Sequence, residues 1–120
     1  MEKNITKFNI FILKMIKIYG MLIRGLEPLV ILWLLAQTPH HGYGLILEFK
    51  KLTGKKLKPS VIYPFLHRLE REGFAFCKVS RKGGRKVKYY SLTNKGMRLF
   101  KRVRDKFNKS FRDVILELVR

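Results

Sequence analysis

The segment that most constrains the fold is KPSVIYPFLHRLEREG, residues 58–73. Drawn as a helix with about 100° between successive residues, it places Ile62, Leu66 and Leu69 on one side. The opposite side carries polar groups and one proline, at Ser60, Pro64, His67 and Arg71. The segment therefore predicts an amphipathic helix with one face for a core and another for a binding partner.

Residues at the two ends of this helix indicate where it begins and stops. Pro59 suits a first helical turn, and Ser60 can accept a hydrogen bond from a free backbone amide. Pro64 should lie within about the first turn, because a proline deeper in a helix removes a backbone hydrogen bond. Gly73 predicts a left-handed residue that ends the helix.

Charge is abundant and unevenly distributed along the chain of 120 residues. Lys and Arg number 27 against 8 Asp and Glu, giving a formal charge of +19. Residues 78–112 contain 14 Lys or Arg and one acid, whereas residues 28–47 contain no Lys, Arg, Asp or Glu. A basic surface without a partner would mix charges of both signs. The segregation therefore favours a polyanionic partner, either nucleic acid or an acidic membrane.

The single cysteine and the uncharged run bear on the cellular setting. Cys77 has no second cysteine for an internal disulfide, which fits a reducing, intracellular setting. For a protein that binds DNA, the expected location is the cytoplasm, in association with the nucleoid. The run of residues 28–47 is long enough for a membrane span, but Pro39 to Gly44 interrupts it with turn residues. The first 20 residues lack the features of a signal peptide. We expect no membrane-spanning segment.

A first helix is predicted over residues 1–20, with its end at Gly20. Its apolar stripe consists of Ile5, Phe8, Ile12, Ile16 and Tyr19. A basic amphipathic helix of this kind can lie on an anionic membrane. Its apolar surface is wider than one stripe, however, which favours packing against protein.

Two further helices are predicted before residue 58. One begins after Gly25 and Pro28 and is apolar all round, so it should lie in the centre of the domain. Its Trp33 is either a platform for stacking a ligand or, as we favour, a core residue. A short helix over residues 43–52 then follows a Gly-containing turn, which is the pattern of a helix-turn-helix. Its inward side chains are expected to be Tyr43, Ile46, Leu47 and Leu52.

The periodicity changes from helical to strand-like after Gly73, and Gly83-Gly84 predicts a hairpin turn between two strands. Four cations flank the tip of this hairpin, at Arg81, Lys82, Arg85 and Lys86. A basic hairpin directly after a helix-turn-helix is typical of a wing that contacts the backbone or minor groove of DNA.

A last helix is predicted to begin after the cap residue Thr93 and to run for about 25 residues, or nearly 40 Å. Its apolar stripe consists of Leu99, Val103, Phe107, Phe111, Val114 and Leu118. Because this helix is longer than a small winged-helix core can cover, the stripe predicts a dimer interface. Packing against its own domain is the alternative.

Four segments together resemble the PadR family of winged-helix transcriptional regulators. They are MLIRGLEPLVILWLL (21–35), PHHGYGL (39–45), VIYPFLHRLEREGF (61–74) and GRKVKYYSLTNKG (84–96). The resemblance implies a homodimer whose third core helix enters the major groove, whose wing contacts the flanking backbone, and whose C-terminal helix supplies most of the dimer interface. Residues 1–20 precede the usual family beginning, and the single C-terminal helix resembles the short branch of the family. Some relatives respond to phenolic acids or flat aromatic drugs, but no residue pattern here predicts an effector.

We therefore expect an α+β, mostly helical fold, a winged helix-turn-helix with an N-terminal extra helix and a long C-terminal dimerisation helix. Its parts are the extension 1–20, the DNA-binding domain 21–92 and the dimerisation helix 93–120. The expected function is a sequence-specific, double-stranded-DNA-binding homodimer that represses transcription. The alternative is a sequence-neutral architectural protein that binds DNA or RNA. Seven residues of the third core helix are predicted to face DNA: Ser60, Val61, Tyr63, Pro64, His67, Arg68 and Arg71.

No combination of residues predicts an enzyme, a metal site or a cofactor. The three histidines and one cysteine lack the spacing of a structural zinc site. The 8 acids are scattered, and no glycine-rich phosphate-binding motif occurs.

Overall fold

The computed structural model describes the backbone of residues 2–120 and the side chains of Lys7, Asn9, Ile10, Ile12, Leu13 and residues 25–120. These residues form four helices and one two-stranded antiparallel sheet. The elements in order are α1 (Glu2–Gln37), α2 (Gly42–Thr53), α3 (Pro59–Arg71), β1 (Ala75–Lys82), β2 (Arg85–Leu92) and α4 (Asn94–Leu118). This arrangement confirms the predicted winged helix-turn-helix with a long C-terminal helix. None of the helices, as far as the described residues extend, combines the length and apolarity needed to cross a bilayer.

The N-terminal part of the chain is one helix rather than the two that we predicted. Helix α1 continues through Gly20 and contains Pro28. A glycine inside a helix costs only about 1 kcal/mol relative to alanine, so Gly20 does not force an end. In the predicted apolar stripe, Ile12 is exposed, and the side chains of the other four residues lie outside the described residues.

The core lies between α1, α2 and α3 and is closed by the sheet and the start of α4. Its buried side chains are Ile31, Leu32, Leu34, Leu35, Leu45, Ile46, Phe49, Leu57, Ile62, Leu66, Leu69, Ala75, Tyr90 and Phe100. The predicted inward face of α3 is thus confirmed. Its burial places the polar face of α3 on the surface of the domain.

The predicted orientation of α2 is wrong for three of its four inward residues. Tyr43, Leu47 and Leu52 are exposed, whereas Leu45 and Phe49 are buried. Apolar residues lie all around this short helix, so its own sequence does not select the face that packs against α1 and α3.

Trp33 is also not the core residue that we favoured. Its side chain is 40% exposed and borders a cavity of 370 Å³ that Leu29, Leu52 and Phe100 also line. The ends of α1 and α2 leave this cavity open beside α4.

The N-terminus of α3 differs from the prediction, whereas its C-terminus agrees. Lys58 is the N-cap and provides no side-chain cap, and Pro59 is the first helical residue. Ser60 is therefore not the cap, because a cap at Ser60 would start the helix at Val61, whereas α3 begins two residues earlier. Pro64 lies beyond the first turn and leaves the Ser60 carbonyl without its helical donor. Gly73 has φ of 79°, as the predicted left-handed residue requires.

The hairpin has the predicted two-residue turn. Gly83 and Gly84 have φ of 57° and 78°, values that glycine adopts readily in a tight hairpin turn. His40 pairs with Tyr90 on the outer side of β2, through N–O distances of 3.0 and 2.7 Å. This pairing fastens the turn before α2 to the wing.

The start of α4 is held by Thr93, as predicted. Its Oγ1 accepts a hydrogen bond from the Gly96 amide at 3.1 Å and donates one to the Gly73 carbonyl at 2.6 Å. One threonine thus joins the end of α3 to the start of α4.

Candidate nucleic-acid interface

The seven residues predicted to face DNA are all exposed on α3, but they do not share one surface. Tyr63 and His67 line a groove of 320 Å³ beside the wing. Val61, Pro64 and Arg68 line a separate groove of 270 Å³ beside α1. The exposed face of α3 is therefore a ridge between two grooves.

Arg68 forms an ion pair with Glu72, four residues further along the chain. The distance between Arg68 Nε and Glu72 Oε1 is 3.1 Å, and both side chains are solvent-exposed. An exposed pair of this kind contributes about 0.2–1 kcal/mol. Arg68 is thus partly neutralised, whereas Arg71, one turn further along α3, forms no ion pair in the part of the chain that the structure describes.

The four cations at the wing tip lie directly opposite one another. Arg81 is paired with Lys86, and Lys82 with Arg85, across the two strands. Like charges at opposite positions destabilise a hairpin. No carboxylate forms an ion pair with these four cations among the described residues. The tip is therefore a concentrated positive charge that a polyanion would stabilise.

The groove beside the wing contains three residues that sequence analysis did not single out for binding. His41 directly precedes α2, Tyr43 is the second residue of α2, and Lys88 lies on β2. Lys88 is two residues from Lys86, and alternation along a strand places both on the same side of the hairpin. The motif HHGYG, residues 40–44, was the available sequence signal, but its histidines were assigned to a turn and Tyr43 to the inward face of the following helix.

Two glycines in that motif allow side chains to lie close to the start of α2. A Cβ at Gly42 would be 2.5 Å from Cε1 of Tyr63, and one at Gly44 would be 2.6 Å from Nδ1 of His41. The N-cap of α2 has no side-chain hydrogen bond, so the first backbone amides of α2 remain available. The rings of Tyr63 and His41 therefore lie beside the N-terminus of α2, where the N-cap side chain forms no hydrogen bond with the backbone amides.

The two titratable groups behind this surface whose pKa values are shifted are the Cys77 thiol and the Tyr90 hydroxyl. Burial and then the nearby Glu70 carboxylate raise the pKa of the Cys77 thiol, although Lys88 acts in the opposite direction. Burial also raises the pKa of the Tyr90 hydroxyl. Both groups therefore remain uncharged at neutral pH. In the described part of the chain, no cluster of His, Cys, Asp and Glu is arranged to hold a metal ion.

The apolar stripe of α4 becomes progressively exposed along the helix. Leu99 and Val103 are partly buried, whereas Phe107 is 38% and Phe111 57% exposed. The rings of Phe107 and Phe111 stack with their centroids 5.8 Å apart. Val114 and Leu118 are also exposed and continue the stripe. The distal half of α4 thus presents an aliphatic and aromatic surface that the domain itself does not cover.

Comparisons with known proteins agree with this architecture. The model of the transcriptional regulator PadR-like family matches residues 31–102. A transcriptional regulator structure from Thermoplasma acidophilum is 28% identical, with 82% of this chain and 92% of that chain covered and a TM-score of 0.66. A PadR-like regulator from Bacillus cereus is 24% identical, with 82% and 96% covered and a TM-score of 0.72. Bacillus subtilis PadR in complex with operator DNA is 33% identical, with 60% and 43% covered and a TM-score of 0.56. No curated protein gave a significant match.

Proposed function

Because the chain belongs to the PadR-like family of transcriptional regulators, we propose that it binds double-stranded DNA sequence-specifically as a homodimer and represses transcription. The observation that carries the proposal is the combination of an exposed recognition ridge on α3 with unneutralised cations at the adjacent wing tip. The operator complex of Bacillus subtilis PadR supports DNA as the partner. Family membership also identifies the chain as a regulator rather than an enzyme.

Helix α3 enters the major groove in this proposal. His67 and Arg71 can form hydrogen bonds with purine edges, and Val61 can contact a thymine methyl group. Ser60 lies at the N-terminus of α3, where phosphate binding is favourable. The ridge is narrow because grooves flank it on both sides, so only residues near its crest can reach base edges.

The wing and the adjoining groove bind the sugar-phosphate backbone. Lys86 and Lys88 lie on the side of the hairpin that faces α3, whereas Lys82 and Arg85 lie on the other side. A backbone strand in the groove would therefore contact Lys86 and Lys88 together with Tyr43 and the start of α2. These contacts fix the position of the protein without selecting sequence.

Two copies of the chain associate through α4. The stripe beyond Val103 is exposed in one copy, and a symmetric partner can cover it with the same residues. Association would place two copies of α3 about 34 Å apart, one turn of DNA. The predicted operator is consequently palindromic.

Binding to duplex DNA should depend steeply on salt. Six to ten phosphate contacts would reduce affinity by about 10³ to 10⁵ between 50 and 200 mM salt. Fluorescence anisotropy with a labelled duplex over this range would measure the slope. An affinity that does not change with salt would contradict the role assigned to the wing cations.

Two arginine replacements should separate base recognition from backbone binding. Arg71→Ala is expected to cost about 1–3 kcal/mol on the operator and to relax base preference at one position. Arg85→Ala should instead weaken specific and random duplexes alike and reduce the salt slope by about one. The measurement is a titration of each variant with both duplexes. Equal losses for Arg71→Ala on both would remove Arg71 from base recognition.

The proposal as a whole is tested on DNA from upstream of the protein's own gene. Nuclease footprinting should show a protected palindrome that survives a large excess of random duplex, and transcription in vitro from the same fragment should fall when protein is added. Protection that random duplex removes at equal concentration would instead favour a sequence-neutral architectural protein.

A further inference from the structure

The outward face of the wing has a concave surface of about 560 Å³, here called the hairpin concavity. It is lined by Pro39, Phe76, Tyr89, Lys78, Lys82 and two serines. Strand alternation places this face opposite the one that carries Ala75 and Tyr90, which are buried in the core. The hairpin concavity is therefore separate from the groove between α3 and the wing.

The chemistry of this surface is aromatic and cationic. Tyr89 is flanked by the His41 ring at 5.3 Å and by Lys82 Nζ at 5.8 Å from its centroid. Phe76 is 43% exposed and has no aromatic or cationic neighbour of this kind among the described residues, so its ring is the open one. No Asp or Glu lines the concavity in the part of the chain that the structure describes.

We propose that the hairpin concavity binds an acidic peptide segment of another protein. An apolar side chain of the peptide packs against Phe76 and Pro39, and a neighbouring carboxylate pairs with Lys78, the lining cation that lies away from the wing tip. A second copy of this chain is a poor occupant, because its 8 Asp and Glu are scattered among 27 Lys and Arg and form no acidic segment. Duplex DNA has the required charge, but its accessible backbone offers nothing apolar to cover the Phe76 ring.

The hairpin concavity extends far enough from the wing tip that it can bind a peptide while the tip contacts DNA. Phe76 and Lys82 are six residues apart on β1, a separation of about 20 Å. The end of the concavity near Phe76 and Pro39 therefore stays clear of the tip. A protein bound next to this regulator on a promoter could present its acidic segment there.

The test uses the full chain and a fluorescein-labelled peptide in which glutamates surround one central phenylalanine. Phe76→Ala should weaken binding of this peptide about threefold to tenfold, because aromatic contact is lost. The matched control is Val79→Ala, on the other face of the same strand, where Val79 is 57% exposed. It should bind the peptide as the natural chain does. Circular dichroism establishes that both variants are folded, and duplex binding in the same samples reports the DNA function independently.

Three results would overturn the proposal. The first is equal affinity for a peptide with serine in place of phenylalanine, which would reduce the interaction to charge alone. The second is an equal loss in Phe76→Ala and Val79→Ala. The third is binding of oligothymidylate with the same dependence on Phe76, which would make the concavity a surface for single-stranded nucleic acid. If the natural chain does not bind duplex DNA, the proposed DNA-binding function is wrong, but the proposed peptide binding is unaffected.

Discussion

Replacing Gly96 with alanine is expected to lower the free energy of unfolding by about 3 kcal/mol or more. Gly96 is buried at the first turn of α4, where its amide is held by Thr93. An added Cβ would overlap the Phe74 carbonyl oxygen and lie 3.0 Å from the Phe74 carbonyl carbon and 3.2 Å from Leu92 Cβ. Two of these atoms are backbone, so a change of rotamer cannot relieve the overlap. Chemical denaturation of both proteins would measure the difference.

Gly25→Ala is the matched control for this experiment. Gly25 lies inside α1, and a Cβ there would meet no atom within 4 Å. Alanine should therefore leave stability unchanged or raise it by about 0.5–1 kcal/mol through helix propensity. Equal stability of Gly96→Ala and the natural chain would show that the Phe74 carbonyl group does not pack closely against the first turn of α4.

Phe107→Asp is expected to convert the proposed dimer into monomers and to weaken operator binding by about 10² to 10⁴, because each monomer binds only one half-site. Phe107 lies in the exposed stripe of α4 and stacks on Phe111. An aspartate at this position would place an unpaired carboxylate in an apolar interface, which is strongly unfavourable. Sedimentation equilibrium measures the association, and anisotropy measures the affinity for DNA.

Asn108→Asp provides the control for the charge itself. It introduces the same negative charge one residue away, at an exposed position outside the apolar stripe. This variant should remain a dimer and lose little affinity for DNA. A dimeric Phe107→Asp variant would move the interface to another surface of the chain.

Local signals account for the parts of the fold that sequence analysis predicted correctly. The inward face of α3 follows from three apolar residues at helical spacing, and the hairpin turn follows from Gly83-Gly84. The Thr93 cap is also local, because its hydroxyl accepts a hydrogen bond from the Gly96 amide, three residues further along the chain. The exposure of the predicted α3 and wing residues could be foreseen in the same way, because polar residues opposite a buried stripe face solvent.

The errors occurred where a local signal was weak or ambiguous. Gly20 was predicted as a helix end, although one glycine costs too little to stop a helix. The inward face of α2 was wrong because apolar residues surround this helix. Three residues of the groove beside the wing, His41, Tyr43 and Lys88, were missed because they lie far in sequence from the α3 residues that share the groove.

The sequence by itself determined the order of the elements, the buried side of α3, the two-residue hairpin and the segregation of positive charge toward the C-terminal half. Each depends on residues within a few positions of one another. Only the tertiary structure decided that Trp33 borders a cavity and that the exposed side of α3 is a ridge between two grooves. These features depend on how α1, α2 and the wing pack around α3, and such contacts join residues whose separation along the chain leaves no periodic pattern.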